Sequence, residues 1–190
     1  MMKNRDFDYD VLPEIKTRWS PRAFDPNRPV ADEDLSAIFE AARYAPSCFN
    51  EQPWLFLVSR DEETRNKIFD CLTESNQKWA KNAPVLAIMM GKSTFAHNQK
   101  NNRWHQFDTG TSWGYLTLEA ERRGLITHGM GGFSVDKVRE TFKVPEEITI
   151  IAALAIGYYG DKDQLPAELK AREFPQPRKP LAEMFFVPED

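Results

Sequence analysis

The sequence predicts a mixed fold in which helices and strands alternate irregularly around a single core. Three apolar runs, at 54–59, 85–90 and 148–157, have the length and composition of buried strands. Between them lie segments whose apolar residues recur three and four positions apart, which is the spacing of an amphipathic helix. With 190 residues, 41% of them hydrophobic, the chain suits one soluble domain with a sizeable core.

The first third of the chain contains two predicted helices and a strand. A short amphipathic helix is predicted over Tyr9–Lys16. Asp32 is expected to cap a longer helix that runs to about Tyr44. After a loop, Trp54–Ser59 is predicted to form a strand that is buried on both faces.

The middle of the chain begins with Asp61, which is expected to cap a third helix. Residues 76–84 are interpreted as a connection that leads into the strand Val85–Met90. Residues 91–106 are polar and are predicted to form a long loop, which is typical of a mobile or functional segment. A helix is predicted from Asp108 to Arg123.

The last third of the core contains a glycine-rich turn, a short helix and a strand. The turn spans 129–133, where three glycines leave backbone NH groups unshielded for a ligand. Its spacing is not the dinucleotide fingerprint G-x-G-x-x-G. Ser134 is expected to cap a short helix, and Ile148–Gly157 is the clearest buried strand in the chain.

Residues 161–190 are predicted to be an extended arm of the same domain, and residues 1–160 form its core. The arm has no helical or strand period and contains five prolines. Residues 184–187 have the composition of a short strand that needs a sheet to join. We therefore expect the arm to lie on a partner subunit.

Composition excludes several classes of function. The 25 lysines and arginines against 29 acidic residues give a net charge of −4, which argues against a general nucleic-acid binder. The chain has neither a membrane-spanning apolar run nor the apolar core of a signal peptide, so we expect a cytoplasmic protein. The two cysteines lack metal spacing, and the three histidines are too scattered for a zinc site.

Two polar segments are candidates for ligand binding. The loop Ala45–Trp54 carries Ser47, Asn50 and Gln52, whose side chains suit the edge of a planar ligand or simply a solvated connection. Residues 18–22 place two arginines and a serine in five positions. They suit an anion, because guanidinium groups match phosphate oxygens, or form a solvated basic turn.

Taken together, four segments resemble the nitroreductase family of FMN-dependent oxidoreductases. They are Arg18-Trp19-Ser20-x-Arg22-x-Phe24, Ala45-Pro46-Ser47-x-x-Asn50-x-Gln52-Pro53-Trp54, Gly131-Gly132-Phe133 and Pro177-Arg178-Lys179-Pro180-Leu181. The resemblance implies an α+β, three-layer fold with a mixed, mainly antiparallel central sheet flanked by helices. It also implies a homodimer with two shared FMN sites, and an arm that adds a strand to the partner's sheet.

The resemblance assigns the cofactor-binding residues in groups. Arg18, Ser20 and Arg178 would hold the phosphate and ribityl end of FMN, and Arg22 would lie near the pyrimidine edge. Asn76 would contact the ring, and the backbone NH groups of Gly131 and Gly132 would face flavin N5 and O4. Residues of the first polar loop would reach the partner's flavin. The full set is Arg18, Trp19, Ser20, Arg22, Pro46, Ser47, Cys48, Asn50, Asn76, Gly131, Gly132 and Arg178.

The implied activity is transfer of a hydride from NADH or NADPH through flavin N5 to a nitroaromatic, quinone or enone by a ping-pong mechanism. No protein side chain would be catalytic. Alternatives are a reductive dehalogenase-like or flavin-fragmenting enzyme, a non-enzymatic flavin-binding module, or a chain without a cofactor. Gly131 and Gly129 stand where many members have glutamate and proline, and Trp79 stands where some have a lysine near the ring. Cys48 is either a redox thiol or a small packing residue.

Overall fold

An antiparallel sheet forms the centre of the computed structural model, which describes Arg5 and residues 7–188. Its four strands within those residues are β1 (Trp54–Val58), β2 (Val85–Lys92), β3 (Ile126–Met130) and β4 (Ile148–Gly157). They lie in the order β1-β2-β4-β3, and each neighbouring pair is antiparallel. The mainly antiparallel sheet expected from the sequence is therefore confirmed.

Helices cover both faces of this sheet, which gives the expected three layers. Buried residues of α3 (Glu62–Asp70), α4 (Glu74–Ala80) and α6 (Val135–Phe142) pack on one face. On the other face lie α2 (Asp32–Arg43) and α5 (His105–Arg122). Two short helices, α1 (Pro13–Thr17) and α7 (Ala167–Lys170), lie outside these layers and bury no residue.

Strand β2 connects the two apolar clusters because its side chains alternate between the faces of the sheet. Leu86 and Ile88 belong to the cluster under α3, α4 and α6, whereas Val85 packs with α2 and α5. Leu86 and Ile88 are completely buried. Each such side chain stabilises the fold by about 1.5–3 kcal/mol relative to an exposed one.

Two predicted helix caps and one predicted strand are confirmed. The Asp61 carboxylate accepts a 2.7 Å hydrogen bond from the backbone NH of Thr64. The Ser134 hydroxyl accepts one of 3.2 Å from Lys137. Strand β4 has the predicted bounds. The prediction for Asp32 was wrong, because Asp32 is the first helical residue and Ala31 occupies the cap position without a side-chain bond.

Other predictions from local pattern were also wrong. Residues 76–80 belong to α4 rather than to a connection, and α5 begins at His105, three residues before the predicted start. Strand β3 was not predicted from the sequence. Strand β1 is half-buried at all five positions instead of buried on both faces, because it lies at an edge of the sheet.

The C-terminal arm divides into a packed part and an exposed part. Leu165, Glu173 and Pro175 are buried against the core. Beyond them, residues 176–188 are exposed, and Leu181–Met184 forms a 3₁₀ turn rather than the predicted strand at Met184. Phe185 is extended, and pairing of this segment with a partner's sheet stays a prediction. Within the described residues, each helix is too short or too polar to traverse a lipid bilayer.

Candidate functional site

The segment that follows α1, residues 18–24, is anchored to the core by hydrogen bonds to Glu173 and by the packing of Phe24. The Glu173 carboxylate accepts hydrogen bonds from the backbone NH groups of Arg22, at 2.7 Å, and Ala23, at 2.8 Å. Phe24 is 1% exposed and stacks on Trp79 with 6.0 Å between ring centroids. This fixed backbone presents Trp19, Ser20 and Arg22 to one cavity.

That cavity has a volume of about 250 Å³ and is strongly basic. Four of the twelve predicted site residues line it, namely Trp19, Ser20, Arg22 and Arg178. The other lining residues are Arg5, His128, Arg172, Phe174 and Gln176. The structure thus brings Trp19, Ser20 and Arg22 of the first arginine segment into one cavity with the C-terminal Arg178. We call this cavity the arginine cavity.

Arg18 lies beside the arginine cavity with part of its hydrogen-bonding capacity unused. Its Nη2 atom donates only long bonds, of 3.3 Å to the carbonyl oxygen of Trp19 and 3.4 Å to the hydroxyl of Ser20. Its Nε atom is buried and has no partner within the described chain. Burial, with the nearby charge of Arg178, lowers the pKa of Arg18. Such a group favours an anionic ligand, because an oxyanion would satisfy both its charge and its NH groups.

His128 lies on β3 and also lines the arginine cavity. Its Nδ1 atom is 2.8 Å from the carbonyl oxygen of Pro21, and its ring centroid is 4.6 Å from that of Trp79. Burial lowers the pKa of His128 to about 4, and the charge of Arg22 acts in the same direction. The imidazole is therefore neutral near pH 7. Because a carbonyl only accepts, Nδ1 carries the proton and Nε2 is left as an acceptor.

The glycine turn is held in place by α4. Asn76 Nδ2 donates a 2.9 Å bond to the carbonyl oxygen of Gly132, and the backbone NH and hydroxyl of Thr73 donate to the same oxygen at 3.0 and 3.1 Å. A Cβ atom on Gly131 would have no neighbour within 4 Å. The side-chain amide of Asn76 therefore positions the turn, and Gly131 leaves one side of it open.

The first polar loop, residues 45–54, contributes none of the described residues that line the arginine cavity. The NH of Cys48 donates a 3.1 Å bond to the carboxylate of Asp108 on α5, and the NH of Gln52 donates a 2.9 Å bond to the hydroxyl of Ser47. Phe49, Asn50 and Gln52 adopt positive φ angles of 54°, 56° and 52°. Among the described residues that line the arginine cavity, none comes from the predicted loop set Pro46, Ser47, Cys48 and Asn50.

A larger cavity, of about 310 Å³, lies beside α2 and the start of α3. Its arginines already have partners: Arg60 contacts Asp32 at 3.3 Å, and the Nε atom of Arg65 donates a 2.9 Å bond to the carbonyl oxygen of Ala83. Volume therefore does not identify the functional site here. The unsatisfied guanidinium groups are at the arginine cavity.

Comparison with known proteins decides the family. A family profile described as the Nitroreductase family matches residues 15–78 and 72–158. The chain belongs to the nitroreductase family. A crystal structure described as an oxidoreductase containing FMN is 40% identical and superposes with a TM-score of 0.91, covering 96% of this chain and 94% of that one.

Two further relatives extend the comparison for this nitroreductase-family chain. A protein of Archaeoglobus fulgidus, whose name proposes an NADH dehydrogenase or NAD(P)H nitroreductase, is 29% identical over 80% of this chain and 87% of its own. A structure from Exiguobacterium sibiricum in complex with FMN shares the fold, with a TM-score of 0.76 and 21% identity over 97% of this chain and 100% of that one.

Several residues at or beside the arginine cavity were not predicted from the sequence. Arg5 lies ahead of the segment that the family profile matches, and Arg172 and Glu173 precede the C-terminal motif. His128 was considered only as a metal ligand. No local pattern marks Glu173 and His128, because only the packing of the arm and of β3 against residues 18–23 brings these two side chains beside that segment.

Proposed function

We propose that this chain is an FMN-dependent oxidoreductase that takes electrons from NADH or NADPH. The observation that carries the proposal is the arginine cavity: buried guanidinium nitrogens of Arg5, which lines it, and of Arg18, which lies beside it, have no partner within the described chain. The FMN-containing relatives and the NAD(P)H-related name of the Archaeoglobus protein support it. An anionic cofactor satisfies these groups, whereas an apolar ligand leaves them unpaired.

The residues of the arginine cavity, together with Arg18 beside it, fit one end of FMN. Arg18, Ser20 and Arg178 would hold its phosphate, with Trp19 and Arg22 along the ribityl chain and ring edge. A volume of about 250 Å³ lies below the range of about 300–1,000 Å³ common for whole-ligand sites. One chain therefore suits part of the cofactor, and a second subunit would supply the remaining surface.

FMN, when bound, would supply two-electron chemistry, namely hydride transfer from the nicotinamide to a nitroaromatic, quinone or enone acceptor in a ping-pong cycle. The protein contributes position and electrostatics. Arg22 would provide a fixed positive charge near the pyrimidine edge, which would stabilise negative charge that develops there. His128, neutral near pH 7, offers a hydrogen-bond acceptor. Asn76 holds Gly132, and the open side of Gly131 would leave room for the ring.

The same proposal includes a cytoplasmic homodimer with two shared sites. Residues 176–188 carry exposed apolar side chains, among them Phe186 at 91% and Val187 at 78% exposure. Burial of these apolar side chains against a partner would be energetically favourable. A second copy of the chain offers the half-buried edge strand β1 as a surface for them. In such a dimer, Pro46, Ser47, Cys48 and Asn50 of one subunit would reach the FMN bound mainly by the other.

An anaerobic titration of the FMN-loaded protein tests the proposal. NADH or NADPH should bleach the flavin absorbance, and adding a nitroaromatic or a quinone should restore it. A protein that binds FMN but is bleached by neither nicotinamide would instead be a flavin-binding module. A protein without flavin absorbance even after FMN addition would overturn the proposal, and recovery only with a halogenated acceptor would favour dehalogenase-like chemistry.

A further inference from the structure

Arg5 lines the arginine cavity although it lies ten residues before the first residue matched by the family profile, Ile15. Its one hydrogen bond within the described chain is long, at 3.4 Å from Nη1 to the carbonyl oxygen of Ile15. Its Nε and Nη2 atoms are buried and have no described partner. Arg5 therefore lies at the cavity while its Nε and Nη2 atoms have no hydrogen-bond acceptor within the described chain.

The charges around Arg5 make this arrangement unfavourable in the absence of a ligand. Burial lowers the pKa of Arg5, and the neighbouring charges of Arg178 and Arg18 lower it further, against a smaller opposing effect of Glu121. An arginine side chain stays protonated even so. Within the described residues, three guanidinium groups are thus balanced by one carboxylate, and buried NH groups without partners add to the cost.

We propose that Arg5 is a third guanidinium that binds the phosphate monoester of the cofactor, together with Arg18 and Arg178. This inference rests on the proposed FMN site. A phosphate monoester carries a charge of about −1.5 to −2 and three acceptor oxygens, which match the surplus charge and the free NH groups. Arg5 thereby becomes part of the anion site, and affinity for the phosphate depends on a residue outside the family motifs.

The proposal requires that Arg5 affect stability and affinity in opposite directions. Without an anion, removing the Arg5 side chain relieves its repulsion with Arg18 and Arg178. It also removes buried NH groups that have no hydrogen-bond partner within the described chain. The apo protein of the Arg5→Ala variant should therefore melt at or above the temperature of the wild type. A merely structural arginine would give the opposite result, a lower melting temperature.

Binding of FMN and riboflavin to Arg5→Ala, measured by quenching of flavin fluorescence, provides the test. Riboflavin lacks the phosphate, so it reports on the rest of the site. We expect the dissociation constant for FMN to rise roughly ten- to a hundredfold and that for riboflavin to stay within about twofold. Arg5→Lys should be intermediate, because lysine keeps the charge but not the planar fork. Arg60→Ala, which removes an exposed arginine at the larger cavity, is the matched control.

The outcomes separate this inference from the proposed function. An Arg5→Ala protein that binds FMN as tightly as the wild type, or loses FMN and riboflavin equally, would refute the role of Arg5 alone. If the wild type binds neither flavin, the proposed function fails, and inorganic phosphate then tests Arg5. Millimolar phosphate should raise the melting temperature of the wild type and not that of Arg5→Ala; an equal rise in both would reject the inference.

Discussion

Asn76 Nδ2 donates a 2.9 Å hydrogen bond to the carbonyl oxygen of Gly132, 56 residues further along the chain. This bond joins α4 to the turn that follows β3, and Thr73 donates to the same oxygen. Since α4 also carries Trp79, whose ring lies against His128, the helix connects the glycine turn to the arginine cavity. The two parts of the candidate site are thus held by one short helix.

Replacing Gly132 by alanine should disturb this connection. A Cβ atom there would lie 2.7 Å from Nδ2 of Asn76 and 2.8 Å from the hydroxyl of Thr73, so both side chains must move and lose their bonds to the carbonyl oxygen. We expect Gly132→Ala to lower the free energy of unfolding by about 1–3 kcal/mol, measured by urea denaturation. Gly131→Ala is the matched control, since its Cβ meets no atom within 4 Å. Equal stability of the two variants would contradict this account.

Removing the carboxylate of Glu173 should loosen the segment that carries Arg22. Glu173 is 7% exposed and is the acceptor for the backbone NH groups of Arg22 and Ala23. Glu173→Ala leaves both NH groups without this acceptor, and we expect a loss of about 2–4 kcal/mol in the free energy of unfolding. Glu173→Gln keeps an acceptor oxygen and should lose less.

A surface carboxylate provides the control for Glu173. Glu168 contacts Lys78 at 3.2 Å with most of its side chain exposed, so Glu168→Ala should change stability by less than about 1 kcal/mol. If Glu173→Ala proved as mild as Glu168→Ala, the carboxylate would not be the anchor of this segment.

The pKa of His128 predicts a pH dependence of stability. In the folded chain it is about 4, below the ordinary value of 6.5. Between these values the unfolded chain binds more protons, so stability is fully present above about pH 6.5 and is lost as the pH falls toward 4. From this group alone, the apo protein should be about 2 kcal/mol less stable at pH 4.5 than at pH 7. Urea denaturation at several pH values measures the slope.

One variant assigns that slope to a residue. His128→Gln should flatten the dependence between pH 4.5 and 6.5, because glutamine does not titrate. An unchanged slope in His128→Gln would mean that other groups cause it.

Deletion of residues 177–190 should affect both assembly and cofactor retention. The deletion removes Arg178 from the arginine cavity and the exposed apolar side chains of Phe185 and Phe186. We expect the truncated protein to sediment as a monomer and to lose bound FMN. Arg178→Ala separates the two effects: it should weaken FMN binding while the protein remains a dimer. A truncated protein that kept both its dimer and its flavin would show that the arm serves neither.

Local sequence patterns predicted the elements whose determinants are local. Asp61 and Ser134 cap helices because their side chains reach NH groups three residues away. Strand β4 was found because a ten-residue apolar run fits the centre of a sheet. The run Ile126–Met130 has no such pattern, since it includes Thr127, His128 and a glycine, and it is a strand only because it pairs with β4.

The sequence by itself determined the family, through four short segments in the right order, and with it the prediction that Trp19, Ser20, Arg22 and Arg178 share a site. Only the tertiary structure decided that Arg5, His128 and Glu173 belong beside them. The physical reason is distance along the chain. Glu173 meets the NH of Arg22 across 151 residues, and His128 meets Pro21 across 107, so these contacts arise from packing and leave no local trace.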